Sequence, residues 1–317
     1  MELSFYSKYP FTRGAKELMS SAKVRDEFQL MGIAKRRVVD AIGKGKIPLM
    51  SVELDDSQLL LQVASYAVSR MIVSLLKSRY YVNRYAIAEA KRASSYMASD
   101  SDENVLSVAR ELGVECEIDN YYSVSFQDYL RYAPKSVDYK LVNRRLSRGR
   151  VMLRRDEFVR ILEEAVKLKI ESELPLKTEG IPADINEAAE EVRRSIPKEP
   201  QPVAVSIENG EFAPCMKKLL EDLKTVENLS HTARWALAVY MLNIGMKVDE
   251  VVKLFSTSPD FDESVTRYQV EHAAKRGYKT PSCASMDSYG LCVSNCGVKS
   301  PLAYRRGVFG KSPAKHD

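Results

Sequence analysis

Cys283, Cys292 and Cys296 fall in one Gly/Ser/Asn-rich stretch, PSCASMDSYGLCVSNCG (281–297). Thiolates gathered in this way point to a metal centre, because the deprotonated sulfur is the ligand form. Three thiols are one short of the common all-cysteine site. Cys215 is the best fourth. It follows Pro214 at an expected helix start, where the positive end of the helix should lower the thiol's pKa. Cys116 stands alone in a half-apolar, strand-like stretch and reads as a packing residue. Structural zinc usually takes a tight C-x2–4-C knuckle from each half of the site. Here Cys292 and Cys296 alone are that close. A [4Fe–4S] cube is larger and accepts corners from distant segments, although the spacing is not the ferredoxin run. Spacing favours the cluster on Cys215, Cys283, Cys292 and Cys296 and leaves zinc open, with His231 and His272 as further possible ligands.

A second group of residues suits phosphate and base recognition. In NLSHTAR, Ser230 can cap a helix whose first turn carries His231 and Arg234 on one face. Free N–H groups, the helix dipole, an imidazole and a guanidinium together make a reasonable phosphate site. In TRYQVEH, Tyr268 and His272 are four apart, with Arg267 and Gln269 beside them. Such a face offers a stacking ring and amide donors to a nucleotide. The plainer alternative is a histidine in the core and an arginine paired locally, such as Arg267 with Glu271.

These residues need rigid elements to hold them. Apolar spacing predicts helix over 14–43 and two helices within 55–98, the first capped by Asp55 or Asp56. A short helix over SDENVLSVARELG ends at Gly113. The β-branched and aromatic run VECEIDNYYSVSFQDYLRYAP predicts a strand or two. A short strand and a helix over about 155–172 follow, then another helix over DINEAAEEVRRS. Proline density marks a linker at 196–210. Beyond it, helices are expected over CMKKLLEDLKTVEN, HTARWALAVYMLNIG and VDEVVKLFS. A fourth, in DFDESVTRYQVEHAAKRG, would be opened by an Asp260/Glu263 capping box and closed by Gly277. The cysteines then lie in a loop.

The 317 residues, 45% hydrophobic and 29% charged, fit a globular protein of two or three domains. No continuous apolar run reaches the roughly 18–20 residues of a membrane span, and the N-terminus lacks a signal-peptide layout. The expected location is cytoplasmic. Five cysteines do not make a disulfide framework. A net charge of +5 is weak support for a polyanionic partner. The basic stretches KLVNRRLSRGRVMLRR (140–155) and AKRRVVDAIGKGK (34–46) suit either nucleic-acid contact or a solvated surface.

The segment from about Phe212 to Cys296, with its cysteine order, H-T-A-R, R-Y-Q-x-E-H and Y-x-x-P-x-C motifs, resembles the C-terminal domain of the archaeal and eukaryotic-type DNA primase large subunit. The N-terminal half is similar in layout. The resemblance implies a mainly α protein. Residues 1–195 would form an N-terminal domain binding the small catalytic subunit, helical over about 1–110 and mixed α/β over about 111–172. Residues 196–210 would be the linker and 211–317 an all-helical iron–sulfur domain. It implies one [4Fe–4S] cluster on Cys215, Cys283, Cys292 and Cys296. It also implies a heterodimer with the primase small subunit, making RNA primers de novo on single-stranded DNA. His231 and Arg234 would contact the phosphates of the initiating nucleoside triphosphate. Tyr268 and Gln269, with Arg267 and His272, would contact nucleotide, template or the primer's 5′ end. The resemblance implies a regulatory rather than catalytic role, and no carboxylate cluster suited to two catalytic metals is apparent in the sequence. The rival readings are a zinc-stapled or iron–sulfur nucleic-acid-binding module without an initiation site, and an iron–sulfur nuclease or glycosylase.

Overall fold

A computed structural model describes residues 2–21, 26–50, 54–134, 136–200, 212–224 and 229–305. The chain is mainly α and divides into two compact units: Met1–Pro134 with Leu141–Lys198, and Lys135–Lys140 with Glu199–Asp317. Of the expected linker, 201–210 lie outside the described residues.

The first unit opens with α1 (Glu2–Lys8), α2 (Arg13–Ser21) and α3 (Glu27–Val39), the last continuing into a π-helical turn, Asp40–Lys44. The single helix expected over 14–43 is thus two. Asp26 caps the second, accepting from the Gln29 N–H at 2.8 Å. Next come α4 (Asp56–Leu75), α5 (Arg79–Ser99) and α6 (Asp102–Glu111). Asp55 and Gln58 form a reciprocal capping box on α4, and Ser78 caps α5. The break between these helices falls at Lys77, whose φ of 53° ends the first. By length and composition α4 could cross a membrane, but 56% of its most apolar window is buried inside the unit. It packs against α1 and α3, while α5 packs against α8 (Arg155–Glu173).

Between α6 and α8 lies a small sheet: β1 (Cys116–Ile118), β2 (Tyr122–Ser125), β3 (Leu146–Ser147) and β4 (Arg150–Leu153), antiparallel in the order β1-β2-β4-β3. Tyr122, Val124, Val151 and Leu153 point to one buried face, as strand alternation requires. The segment after β2 is a helix, α7 (Phe126–Tyr132), where the aromatic run had suggested strand. Ser125 decides it by capping the Asp128 N–H. Helix α9 (Ala183–Ser195) packs on α3 and α4.

Charge is buried at the centre of this unit. Arg37 on α3 grips Glu89 on α5 through two hydrogen bonds of 2.5 and 2.8 Å, both side chains 3% exposed. Most of the basic stretch at 140–155 is likewise used internally. Arg144 pairs with Glu157, Arg154 with Asp156, Arg155 with Asp102, and Arg150 bonds Ser123. Arg145 and Arg148 remain exposed.

The second unit contains α10 (Pro214–Lys224), α11 (His231–Asn243), α12 (Val248–Leu254), α13 (Glu263–Arg276), α14 (Cys283–Ser288) and α15 (Pro301–Arg305). Residues 225–228, the expected end of α10, lie outside the described residues. The core joins Met216, Leu219 and Leu223 of α10 to Leu237 and Tyr240 of α11, Val251 of α12, Val270 of α13 and Met286 of α14. The cysteine stretch is not all loop: its first part is α14, capped by Ser282. Helix α13 ends at Gly277 in the left-handed conformation, as expected. Its cap is Asp262, not Asp260.

Candidate metal centre and nucleotide site

Cys215 lies at the start of α10, Cys283 opens α14, and Cys292 and Cys296 follow α14. The chain returns to this point through backbone hydrogen bonds. The Cys283 N–H donates to the Lys299 carbonyl at 2.9 Å and the Cys292 N–H to the Met286 carbonyl at 3.2 Å. The thiols of Cys292 and Cys296 both donate to the Ser294 carbonyl, at 3.5 and 3.4 Å. All four thiols line one cavity of about 370 Å³. Cys116 lies in the other unit, its thiol facing the Glu117 carbonyl at 3.6 Å.

The cavity is large for one ion, since a single water needs only about 10–15 Å³. The four cysteine sulfurs on this cavity are soft donors of the kind that both zinc and iron–sulfur centres take. The expected depression of the Cys215 pKa is reversed. Burial, then the neighbouring sulfurs of Cys283 and Cys296, push it up to about 11, outweighing the helical N–H of Met216. Burial and the sulfurs of Cys292 and Cys296 raise Cys283 too. Thiols bind metal as thiolates, so a metal held by Cys215 and Cys283 would displace the protons that burial retains there.

Ser230 caps α11 by accepting from the Ala233 N–H at 3.2 Å. His231 is exposed in its first turn. Arg234 is held on both sides: its Nε donates to the Leu229 carbonyl at 3.0 Å and its Nη2 to Asp260 Oδ2 at 2.5 Å. Asp260 is therefore the anchor of Arg234. Arg267 pairs with Asp249 at 2.5 Å and Glu263 at 3.1 Å, so the local partner expected at Glu271 is replaced by two others. Gln269 is exposed.

Tyr268 is 71% exposed and stacks on His272, with ring centroids 6.3 Å apart and planes at 25°. His272 meets Tyr278 edge-on at 5.9 Å, and Tyr278 meets Trp235 edge-on at 6.1 Å. The row runs from α13 to α11, where His231 stands one turn before Trp235 on the same face. Rings in series beside a helix N-terminus bearing an imidazole and a guanidinium suit bases and phosphates respectively. Sequence reading found Tyr268 and His272 but missed Tyr278 and Trp235, which no helical spacing connects to them.

The profile of the C-terminal domain of the eukaryotic and archaeal DNA primase large subunit matches residues 206–306. The DNA primase large subunit PriL of Methanocella arvoryzae is 34% identical over 96% of this chain and 89% of its own length. The chain belongs to the DNA primase large subunit family. PriL of Methanococcoides burtonii is 33% identical over 98% of the chain and 93% of the relative. PriL of Archaeoglobus fulgidus is 34% identical over 84% and 73%. Membership places the chain in a primase complex acting in DNA replication. The thiol cavity and the aromatic row both lie within the span that the family profile covers.

Proposed function

We propose that this chain is the regulatory, non-catalytic large subunit of a cytoplasmic heterodimeric primase. It stabilises a small catalytic subunit and holds the initiating nucleoside triphosphate and the single-stranded DNA template for de novo RNA primer synthesis. The observation that carries this reading is the juxtaposition on α11 and α13 of a stacking row with a helix N-terminus bearing His231 and Arg234. Joining two free nucleotides is limited by holding both in attack geometry. Tyr268 and His272 supply ring faces, Gln269 an amide, His231 an imidazole donor and Arg234 positive charge for phosphates. Asp260 fixes the orientation of Arg234, while Arg267 braces α13 against α12 through Asp249. The reacting metals belong to the partner in this scheme.

Cys215, Cys283, Cys292 and Cys296 would hold one [4Fe–4S] cluster. Its contribution is to tie α10 and α14 together, closing the core on which α11 and α13 rest.

Docking of the small subunit is assigned to the sheet subdomain. Among the described residues, six of the thirteen exposed large apolar side chains fall between 118 and 146: Ile118, Tyr121, Phe126, Leu130, Val142 and Leu146. Phe126 and Leu130 share a face of α7. The Phe126 N–H donates to the Gly149 carbonyl at 3.1 Å, which brings α7 against the β3–β4 turn. An apolar concentration of this kind marks an interaction surface.

The test is Arg234→Ala. A charge-assisted phosphate contact is worth about 1.5–3 kcal/mol, so initiation should fall roughly 10–100-fold while extension of a pre-made primer is kept. Equal loss in both assays would mean that Arg234 is only structural.

A further inference from the structure

The cavity that gathers the four thiols also takes one carboxylate. Asp287 lies four residues after Cys283 on α14, so both side chains share a helix face, and both line the cavity. Among the described lining residues Asp287 is the only charged side chain; Ser294 and Asn295 are polar and neutral. Its carboxylate has no ion-pair or hydrogen-bond partner among the described residues. The Lys140 ammonium donates to the neighbouring Ser288 carbonyl at 3.1 Å, outside the described lining of the cavity.

We propose that Asp287 sets the charge of the thiol cavity and so opposes one-electron reduction of the cluster bound there. This rests on the cluster reading above. A cube held by four thiolates is an anion, and an added electron makes it more negative. A nearby carboxylate raises the cost of that electron, and because Asp287 is itself exposed, solvent screening sets how large the effect is. The Ser294 hydroxyl, 3.3 Å from the Cys296 sulfur, can act in the opposite sense by donating a hydrogen bond to a single ligand. The carboxylate acts on the whole group. Asp287 thus keeps the centre in its oxidised level, suited to joining segments of the chain rather than relaying electrons. In the test the electron comes from an electrode through mediators, and no bond is made or broken.

The experiment uses the full-length chain purified without oxygen, as wild type, Asp287→Asn and Asn295→Asp. Iron and sulfide are assayed first. Each sample is then titrated electrochemically, reading the visible absorbance and the paramagnetic signal of the reduced cluster. Asp287→Asn should keep its iron and sulfide and reduce at a higher potential than wild type. Asn295→Asp, which puts a second carboxylate on the same wall, should reduce at a lower potential. Asn295→Asp keeps the test open if Asp287→Asn proves unable to assemble a cluster. Unchanged potentials, or shifts of the opposite sign, in proteins with full iron content overturn the inference and leave the cluster reading standing. A wild type loaded with zinc overturns both.

Discussion

Leu130 offers the sharpest test of the proposed docking surface. It is 58% exposed on α7, beside Phe126, and its removal should leave the free chain intact. Full burial of a leucine is worth about 1.5–3 kcal/mol. Covering the exposed 58% on docking therefore supplies about 1–2 kcal/mol. Leu130→Ala should weaken binding of the small subunit about 5–30-fold. Leu130→Asp loses that contact and also strands a carboxylate in the interface, a penalty of about 3–5 kcal/mol. The sum, at least about 4 kcal/mol, corresponds to roughly a thousandfold rise in Kd. The unfolding free energy of the free chain should stay within about 0.5 kcal/mol of wild type, as for other exposed positions. Titration calorimetry with a purified small subunit reads Kd, and urea unfolding reads stability. Val265→Asp, at an apolar position on α13 that is 52% exposed, is the control and should bind normally. A folded Leu130→Asp chain that binds as tightly as wild type would refute the assignment.

Two further outcomes follow from the geometry. Cys215→Ser should lose its bound iron and lower the melting temperature, because the residue is both a corner of the cavity and a member of the core; Cys116→Ser should keep the metal, with iron analysis deciding. In the other unit, burial alone would raise Glu89, but the Arg37 guanidinium outweighs it and holds the carboxyl below its usual range. Tyr122 and then Arg155 hold Asp102 low by hydrogen bonding. A depressed folded pKa contributes stability above the unfolded value, about 3.9–4.3, that is lost as pH falls through the folded one. Urea melts should thus weaken below about pH 4. Glu89→Gln should cost about 3–5 kcal/mol at neutral pH and show a shallower acid dependence. An unchanged acid profile in that variant would remove Glu89 from the account.

What the sequence made legible is what local chemistry decides. The cap at Asp55 (expected there or at Asp56), the Ser230 cap and the Gly277 stop are each set within four residues and lie where the sequence put them. The gathering of Cys215, Cys283, Cys292 and Cys296 around one cavity was also legible, from their order along the chain and the helix start at Pro214. Errors arose where a distant partner won. Asp260 has the spacing of a cap, yet Arg234 holds it and Asp262 caps instead. The thiol of Cys215 sits at a helix start, yet burial and then the neighbouring sulfurs raise its proton affinity. FQDYLRY is rich in strand-forming aromatics, yet the Ser125 cap turns it into helix α7. Trp235 and Tyr278 join the aromatic row through a contact between separate elements that no periodicity encodes.

The central claim is that this chain confers initiation on a catalytic partner. The most direct measurement is RNA synthesis on a single-stranded DNA template by the small subunit with and without the full-length chain, alongside extension of a pre-made primer. The account predicts that unprimed synthesis requires the chain, whereas the small subunit alone extends the primer. Equal unprimed synthesis in both reactions would contradict it.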